Sequence, residues 1–292
     1  MKEWWSVSLL VPRAFEEALS NFLLEQGDTG IEAREEGSNQ ERLKAYFRQD
    51  GKEKTILRNT HRYLTSLQRM APELSHCQIE TASVDDQDWG ENWKRFFKPE
   101  QVTSKVIVKP PWIDLRRRED DIVIDIIPAM AFGTGTHAST QLCIQALEKR
   151  LNRRGLSVLD VGAGSGILSI AAAKLGAREV VGFDPDVIAV ESARENVKQN
   201  AVAGSVRIRK ASIGQIRQRF EVVVANIDLR NLKRMRRPLL RRVKPRGFLI
   251  LSGILASQGE RLRQLYLETR SFEWSRIIRK GEWVCLTLKK KS

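Results

Sequence analysis

The first 84 residues show two kinds of apolar spacing. Alternation of apolar and polar residues indicates β-strands, whereas apolar residues at helical spacing indicate amphipathic helices. These patterns predict strands at 4–11, 41–48 and about 77–84 and helices at Ala14–Gln26 and Lys54–Met70. Turn residues around Gly27 and Gly37 leave room for one more strand between them. The order strand, helix, strand, strand, helix, strand predicts a small ferredoxin-like α+β domain over residues 1–84, a common recognition platform.

The composition changes over residues 85–100. This segment begins with acidic residues and then carries four aromatic side chains at helical spacing, Trp89, Trp93, Phe96 and Phe97. An aromatic stripe of this kind more often packs into a core than stacks on bases. We therefore expect a linker helix over 85–100 whose aromatic face contacts one of the domains.

Residues 101–292 alternate between short apolar runs and amphipathic stretches. The predicted strands lie near 105–108, 121–127, 157–161, 179–183, 205–209, 221–225 and 247–252, and the helices near 138–151, 186–200, 229–243 and 257–268. Such alternation predicts a parallel sheet with helices on both faces. The last two runs, Phe272–Arg279 and Glu282–Lys289, flank a tight Lys280-Gly281 turn and predict an antiparallel hairpin at the sheet edge. We expect a doubly wound α/β domain.

The clearest candidate binding segment is Val158–Gly166, where a buried apolar run breaks into the pattern G-x-G-x-G. Glycines let the backbone approach a ligand closely. The dinucleotide fingerprint needs a small residue where Ile167 stands. Asp184 ends the next strand, 22 residues after Gly162, where a carboxylate can accept hydrogen bonds from both hydroxyls of a ribose without a 2′-phosphate. S-adenosylmethionine fits this description, and a strand-to-helix turn without a ligand is the simpler alternative.

Asn226 follows the strand at 221–225 and is a further candidate. In open parallel sheets, ligands gather at the carboxyl ends of the strands, where Asp160, Gly162 and Asp184 are also predicted to lie. These side chains should therefore converge in one cleft. An asparagine at a strand end often only forms a turn, so Asn226 alone would indicate little.

A loop of small and hydroxyl-bearing residues, Ala131–His137, precedes the predicted helix at 138–151. Placed just before the glycine turn, it can close over a cofactor and supply hydrogen-bond donors. The simpler interpretation is that Thr136 is the N-cap of the helix and that His137 is structural.

Composition excludes several classes of protein. No apolar run approaches the roughly 20 residues of a membrane helix, and the N-terminal stretch does not match a signal peptide. We therefore expect a cytoplasmic protein without membrane contact. Cys77, Cys143 and Cys285 lack CxxC or histidine spacing, so neither disulfides nor a metal site are expected.

Positive charge is concentrated in the second part of the chain. The net charge is +14, but residues 1–84 hold 11 Lys and Arg against 13 Asp and Glu, which leaves 39 against 23 for the rest. The segment Arg230–Arg246 alone has nine Lys and Arg and no acidic residue. Such a run suggests RNA contact. Leucines at helical spacing within it also fit the solvated outer face of an amphipathic helix, which is the simpler interpretation.

With these residues placed, the chain resembles the ribosomal protein L11 methyltransferases along nearly its whole length. The segments that carry the resemblance are D-W-G-E-N-W-K-R-F-F-K-P at 88–99, A-F-G-T-G-T-H at 131–137, V-L-D-V-G-A-G-S-G-I-L-S-I-A-A at 158–172, N-I at 226–227, L-I-L-S-G-I-L-A at 249–256 and G-E-W-V at 281–284. The resemblance implies a seven-stranded methyltransferase sheet, S-adenosylmethionine as cofactor, and methylation of lysine side chains and the N-terminal amine of large-subunit ribosomal protein L11. Carried over by position, it implies cofactor contacts at Thr140, Gly162, Asp184 and Asn226 and no catalytic acid or base.

Two segments depart from the family pattern. Ile127-Pro128-Ala129 stands where the family usually has Asp-Pro-Gly, and Asp228-Leu229 stands where it has Leu-Ala. Asp228 can attract an incoming ammonium group.

Two alternatives to protein methylation stay open. One is methylation of ribosomal RNA, with the RNA recognised by the basic segment, and the other is a ribosome-associated module that binds the cofactor without activity. The basic domain can also contact ribosomal RNA while the ribosomal protein is the methyl acceptor.

Overall fold

The computed structural model of the 292-residue chain contains two compact units, Met1–Phe97 and Lys98–Ser292. The residues that it describes are 4–26, 30–36, 39–69, 71–84, 98–116, 118–127, 137–151 and 155–292. Of the predicted linker helix, residues 85–97 lie outside this set, Lys98 and Pro99 have no regular structure, and a strand begins at Glu100. The domain boundaries at residues 84 and 101 stay predictions.

The N-terminal unit is a four-stranded antiparallel sheet with two helices. Its elements are β1 (Trp4–Pro12), α1 (Glu16–Glu25), β2 (Gly30–Glu35), β3 (Gln40–Arg48), α2 (Glu53–Gln68) and β4 (Ile79–Val84). The strands lie in the order β2-β3-β1-β4, which together with the chain order gives the split βαβ arrangement. The prediction of a ferredoxin-like domain is confirmed.

Sequence periodicity explains the core of this unit. β1 buries Val7 and Leu9 at a period of two, and α2 buries Ile56 and Leu64 on one helical face. All four belong to a single apolar cluster between the sheet and the helices. Full burial of an aliphatic side chain contributes about 1.5–3 kcal/mol, so these contacts hold the helices on the sheet.

The C-terminal unit contains the larger sheet. Its elements are β5 (Glu100–Gln101), β6 (Val106–Lys109), β7 (Ile122–Asp125), α3 (Ala138–Arg150), β8 (Ser157–Val161), α4 (Ile167–Lys174), β9 (Glu179–Asp184), α5 (Val187–Gln199), β10 (Val206–Lys210), β11 (Phe220–Asn226), α6 (Leu229–Arg234), α7 (Arg236–Arg242), β12 (Val243–Leu255), α8 (Ala256–Leu267), β13 (Phe272–Lys280) and β14 (Trp283–Lys290). Seven strands form one sheet in the order β10-β9-β8-β11-β12-β14-β13. β8 to β12 are parallel, and β14 runs antiparallel to both neighbours. The predicted seven-stranded, doubly wound sheet is confirmed.

Both faces of the large sheet are covered, which explains its nearly continuous apolar strands. In β11, Val222 and Val224 belong to one apolar cluster, whereas Val223 and Ala225 belong to the other. A strand buried on both faces has no position for a polar residue facing water. The polar residues of β8, β9 and β11 therefore stand out as candidates for function.

The first three strands of this unit, β5 to β7, form a separate small sheet. Asn200, just after α5, ties β7 to that helix because its side chain donates to Asp125 O and accepts from Asp125 N, at 2.5 and 2.9 Å. The backbone after β7 is thereby fixed against α5. The sequence indicated the strands near 105–108 and 121–127 but not this pairing.

The predicted helix at 229–243 is wrong in one respect, because it consists of two helices, α6 and α7, with a break at Met235. Pro238 has no N–H, so the hydrogen bond to the carbonyl of Arg234 that a continuous helix needs cannot form. Pro238 then lies in the first turn of α7, where proline is tolerated. The strand predicted at 247–252 is longer than expected and covers Val243–Leu255.

Two expectations from composition concern membrane helices and cysteines. No helix in the described part of the chain is long and apolar enough to cross a membrane. Cys77, Cys143 and Cys285 are free and buried, as expected for reduced core residues.

Candidate functional site

Three neighbouring strands bring the predicted site residues to one edge of the large sheet. β9, β8 and β11 are adjacent and parallel, so their carboxyl ends lie side by side. β9 ends at Asp184 and β11 ends at Asn226, while Gly162 directly follows the last residue of β8. The structure therefore brings these three residues together as the sequence predicted.

Gly162 occupies a position that only glycine fits. Its φ is +73°, and a Cβ built on it would lie 2.8 Å from Cγ2 of Ile227, the residue after β11. Its N–H and that of Ala163 both donate to Phe183 O on β9, each at 3.0 Å. The turn is thus held between β9 and the end of β11, where Gly162 and Gly164 are half-buried.

Asp184 is bonded directly to the glycine turn. Its Oδ2 accepts a hydrogen bond from Gly164 N at 3.1 Å, and its Oδ1 accepts one from Asp186 N at 3.0 Å. A carboxylate offers about four lone-pair sites, so about two stay available. Asp184 is half-buried and can therefore accept from a pair of hydroxyl groups on a ligand.

Thr140 and Asn226 meet although 86 residues separate them. Asn226 Nδ2 donates to Thr140 Oγ1 at 3.2 Å, and Thr140, on α3, is only 1% exposed. Asn226 Oδ1 is also buried and has no hydrogen-bond partner among the described residues. A buried acceptor without a donor costs about 1–3 kcal/mol, so this oxygen is suited to a donor that a ligand brings.

Asp160 lies beneath this edge, inside β8. It is 1% exposed, its Oδ2 accepts from Ser169 Oγ at 2.7 Å, and its Oδ1 has no partner in the part of the chain that the structure describes. The pKa of Asp160 is raised to about 6, mainly by burial and also by the nearby carboxylate of Asp184, against the hydrogen bonds from Ser169. Asp160 therefore ties β8 to α4 across the glycine turn through a carboxyl group whose pKa is raised.

Asn196, which the sequence pattern did not indicate, positions two segments of the site. This buried side chain on α5 donates from Nδ2 to Ser165 O in the glycine turn at 2.9 Å. Its Oδ1 accepts from Ile127 N at 3.0 Å. A polar residue on the buried face of a helix was the available signal, but both partners are distant in sequence.

Gly253 is a second residue whose role the sequence did not reveal. It interrupts β12 with a φ of +83°, and a Cβ there would lie 2.6 Å from Ile227 O. The Ile227 N–H donates to Ser252 O at 3.2 Å. Ile227 is thus pressed between Gly253 and Gly162, which fixes the direction of the chain after Asn226.

The loop predicted to close over the ligand lies mostly outside the described residues, which resume at His137. His137, and not Thr136, is the N-cap of α3, because its Nδ1 accepts from Ser139 N at 3.3 Å. Its ring packs edge-on against Trp283, with centroids 4.4 Å apart. These contacts agree with a structural role for His137.

Asp228 caps α6. Its Oδ1 accepts from Asn231 N at 2.9 Å, and its Oδ2 contacts the side-chain amide of the same residue. Partial burial favours a higher pKa for Asp228, but the hydrogen bonds from Asn231 outweigh it and the pKa is lowered. The carboxylate that replaces an apolar family residue is therefore engaged in local structure.

Comparisons of sequence and of structure with known proteins lead to the same family. A family model described as ribosomal protein L11 methyltransferase (PrmA) matches residues 3–291. A ribosomal protein L11 methyltransferase from Geobacter metallireducens is 35% identical over 296 residues, which cover 98% of this chain and 97% of the relative. One from Streptococcus equi subsp. zooepidemicus is 32% identical over 309 residues, covering 99% and 97%. The crystal structure of a ribosomal protein L11 methylase from Lactobacillus delbrueckii subsp. bulgaricus is 31% identical, with a TM-score of 0.61, and covers 66% of this chain and 99% of that chain.

Proposed function

The chain belongs to the ribosomal protein L11 methyltransferase family, whose members use S-adenosylmethionine, and from this we propose that it methylates amines of ribosomal protein L11. The acceptors in this proposal are lysine side chains, the N-terminal amine or both. The observation that carries it is the buried Oδ1 of Asn226, which has no donor among the described residues, on an amide whose Nδ2 is held by Thr140. An amide oxygen in this position accepts a hydrogen bond from an amine.

The residues at the sheet edge fit the cofactor. Asp184 has acceptor sites for the two ribose hydroxyls, and the missing Cβ of Gly162 lets the side chain of Ile227 pack against the glycine turn beside them. Thr140 and Asn226 would face the amino-acid end. S-adenosylmethionine, when bound, supplies an electrophilic methyl group on a sulfonium that is already a good leaving group.

The task of this chain is then to present a neutral amine in line with that methyl group. A lysine amine has a reference pKa of about 10.4 and an N-terminal amine about 7.7–8.0, so lysine must lose its proton on entering the site. Burial and positive charge both favour the neutral form. Asn226 Oδ1 would accept an N–H of the amine and so direct its lone pair.

Partners and location follow from this proposal. The N-terminal unit has the ferredoxin-like fold of a recognition platform, and it would bind ribosomal protein L11. Ribosomal RNA would be a contact of the basic C-terminal unit and not the methyl acceptor. The enzyme would act in the cytoplasm, where ribosomal proteins are made.

The test is transfer of radiolabelled methyl groups from S-adenosylmethionine to purified L11 and, separately, to ribosomal RNA. Modified sites are identified by mass spectrometry. Asn226→Ala should abolish transfer, whereas Asn231→Ala should not, because the side chain of Asn231 donates to the cap residue Asp228. Both asparagines lie in the same segment, so Asn231→Ala controls for a general effect on folding.

Three outcomes separate the candidate functions. Label on L11, lost in Asn226→Ala alone, supports the proposal. Label on RNA would establish the RNA methyltransferase alternative. Cofactor binding without label on either acceptor would favour a binding module or another protein substrate.

A further inference from the structure

Four exposed arginines form a stripe along the helix pair α6–α7. They are Arg230, Arg234, Arg237 and Arg241, and they follow one another at intervals of four, three and four residues. This spacing places them on one face of a helix. We call these four residues the arginine stripe.

The helix break at Met235 does not interrupt this face. Met235 N donates to Asn231 O at 2.8 Å and Leu239 N donates to Met235 O at 2.9 Å, so helical hydrogen bonding continues on both sides of the break. Leu232 and Leu239 are fully buried on the opposite face. The stripe is therefore a fixed outer surface, held by an apolar inner surface.

None of the four stripe residues forms an ion pair with a carboxylate of the described residues. Two basic residues of the same segment do, since Arg236 pairs with Glu268 at 3.1 Å and Lys244 pairs with Glu221 at 2.6 Å. The described residues thus supply carboxylates to these two cations and none to the stripe.

Like charges also crowd together at the far end of the stripe. Arg242 lies next to Arg241 and Arg219, and its pKa is lowered by partial burial and by both of these cations. Arg219 likewise lowers the pKa of Lys290, after burial. Cations held close together in this way are stabilised by a bound polyanion.

The stripe runs from the candidate site to the opposite edge of the sheet. α6 begins at Leu229, three residues after Asn226, and α7 ends at Arg242, just before Val243 pairs with the first residue of β11. From Arg230 to Arg241 the helix pair rises about 16 Å. The partner must therefore present negative charge along an extended line.

We propose that the arginine stripe binds the phosphate backbone of RNA. Guanidinium groups match phosphate oxygens in a two-pronged geometry that lysine cannot reproduce. An anionic membrane is a poorer fit, because the apolar residues of this segment are buried in the core or packed against it and do not form an exposed apolar face that could insert into lipid. The contact deepens the RNA partnership proposed above, but it does not depend on methyl transfer or on the acceptor.

The test measures RNA binding and methyl transfer separately in the full-length protein. The probe is a fluorescent single-stranded RNA of about 16 nucleotides, titrated between about 50 and 200 mM salt. The stripe variant is Arg234→Gln with Arg237→Gln. The matched control is Arg207→Gln with Arg209→Gln, which removes the same charge from exposed positions on the edge strand β10.

Counterion release sets the expected size of the effect. Each phosphate contact contributes about 0.7 to the slope of log K against log salt, so loss of two contacts lowers the slope by about 1.4. At about 0.1 M salt this is a roughly 25-fold loss of affinity. The control should keep the wild-type slope, and methyl transfer to isolated L11 should be unchanged in both variants.

Several results would overturn the inference. They are absence of RNA binding by the wild-type protein at the lowest salt, an equal loss of affinity in the two double variants, or stripe-dependent binding to vesicles with anionic lipid but not to RNA. A wild-type protein that transfers no methyl group to L11 but binds RNA through the stripe would instead count against the proposed function and leave the inference about the stripe intact.

Discussion

Replacing Asp184 with alanine tests the central assignment of the site. In the structure the carboxylate accepts one hydrogen bond from Gly164 N and one from Asp186 N, at 3.1 and 3.0 Å. About two of its lone-pair sites are left for the ribose hydroxyls of S-adenosylmethionine. Asp184→Ala removes these acceptors and also frees the N–H of Gly164, so the turn loses one of its supports.

The size of the effect follows from the hydrogen bonds lost. A hydrogen bond to a charged group contributes about 1.5–3 kcal/mol. Loss of a single ribose contact therefore raises the Kd by about 10- to 150-fold. Loosening of the turn acts in the same direction, so we expect at least a tenfold increase.

Isothermal titration calorimetry with S-adenosylmethionine measures this Kd directly. Asp186→Ala is the matched control, because Asp186 lies two residues further along and caps α5 by accepting from Ile188 N at 3.0 Å. Loss of that cap should lower the free energy of unfolding by about 1 kcal/mol and leave the Kd unchanged. Equal affinity of Asp184→Ala and wild type, or equal weakening by the two variants, would refute the ribose contact.

Three further changes probe the frame of the site. Gly162→Ala should lower the free energy of unfolding by about 1–3 kcal/mol, since it combines a strained φ with a contact at 2.8 Å to the side chain of Ile227. A denaturant titration measures this, and an unchanged midpoint of unfolding would contradict the geometry. Burial raises the pKa of Asp160 to about 6, above an unfolded value of about 3.9, so the folded state keeps a proton there and stability falls as pH rises through this window. The unfolding free energy of Asp160→Asn minus that of wild type should therefore grow by about 2 kcal/mol between about pH 4 and 6, and a difference independent of pH would disprove the raised pKa. Asp228→Ala should cost about 1 kcal/mol of stability through the lost cap of α6 while kcat/KM for L11 stays unchanged; a large fall in kcat/KM would show that Asp228 attracts the substrate.

The strands and the glycine turn could be predicted from sequence because local patterns determine them. β8 and β11 are apolar runs of the length of a strand, and the three glycines after Val161 mark the turn. The convergence of Asp184 and Asn226 followed from a general rule about the ends of parallel strands. None of this required knowledge of a specific tertiary contact.

The parts that could not be predicted depend on contacts between distant segments. Asn196 joins the glycine turn to Ile127, and its partner residues lie 31 and 69 positions away. The break between α6 and α7 was a different kind of failure, because the apolar spacing continues through it and only the missing N–H of Pro238 marks it. Helical periodicity reports which face is buried, and it is insensitive to a single lost backbone hydrogen bond.

The unpartnered oxygens of the site indicate the charge of its ligand. Asp160 Oδ1 and Asn226 Oδ1 are both buried acceptors without a donor among the described residues, and they lie on the adjacent strands β8 and β11, where Asp160 pairs with Val224. Two acceptors on neighbouring strands favour a ligand that brings donors or positive charge. An acceptor amine that donates to Asn226 Oδ1 and the cationic S-adenosylmethionine beside it supply both, whereas a phosphate would add more acceptors to the same edge. Buried acceptors at the strand ends and cations on α6–α7 are therefore suited to ligands of opposite charge, the cationic cofactor at one surface and the RNA phosphates that we propose at the other.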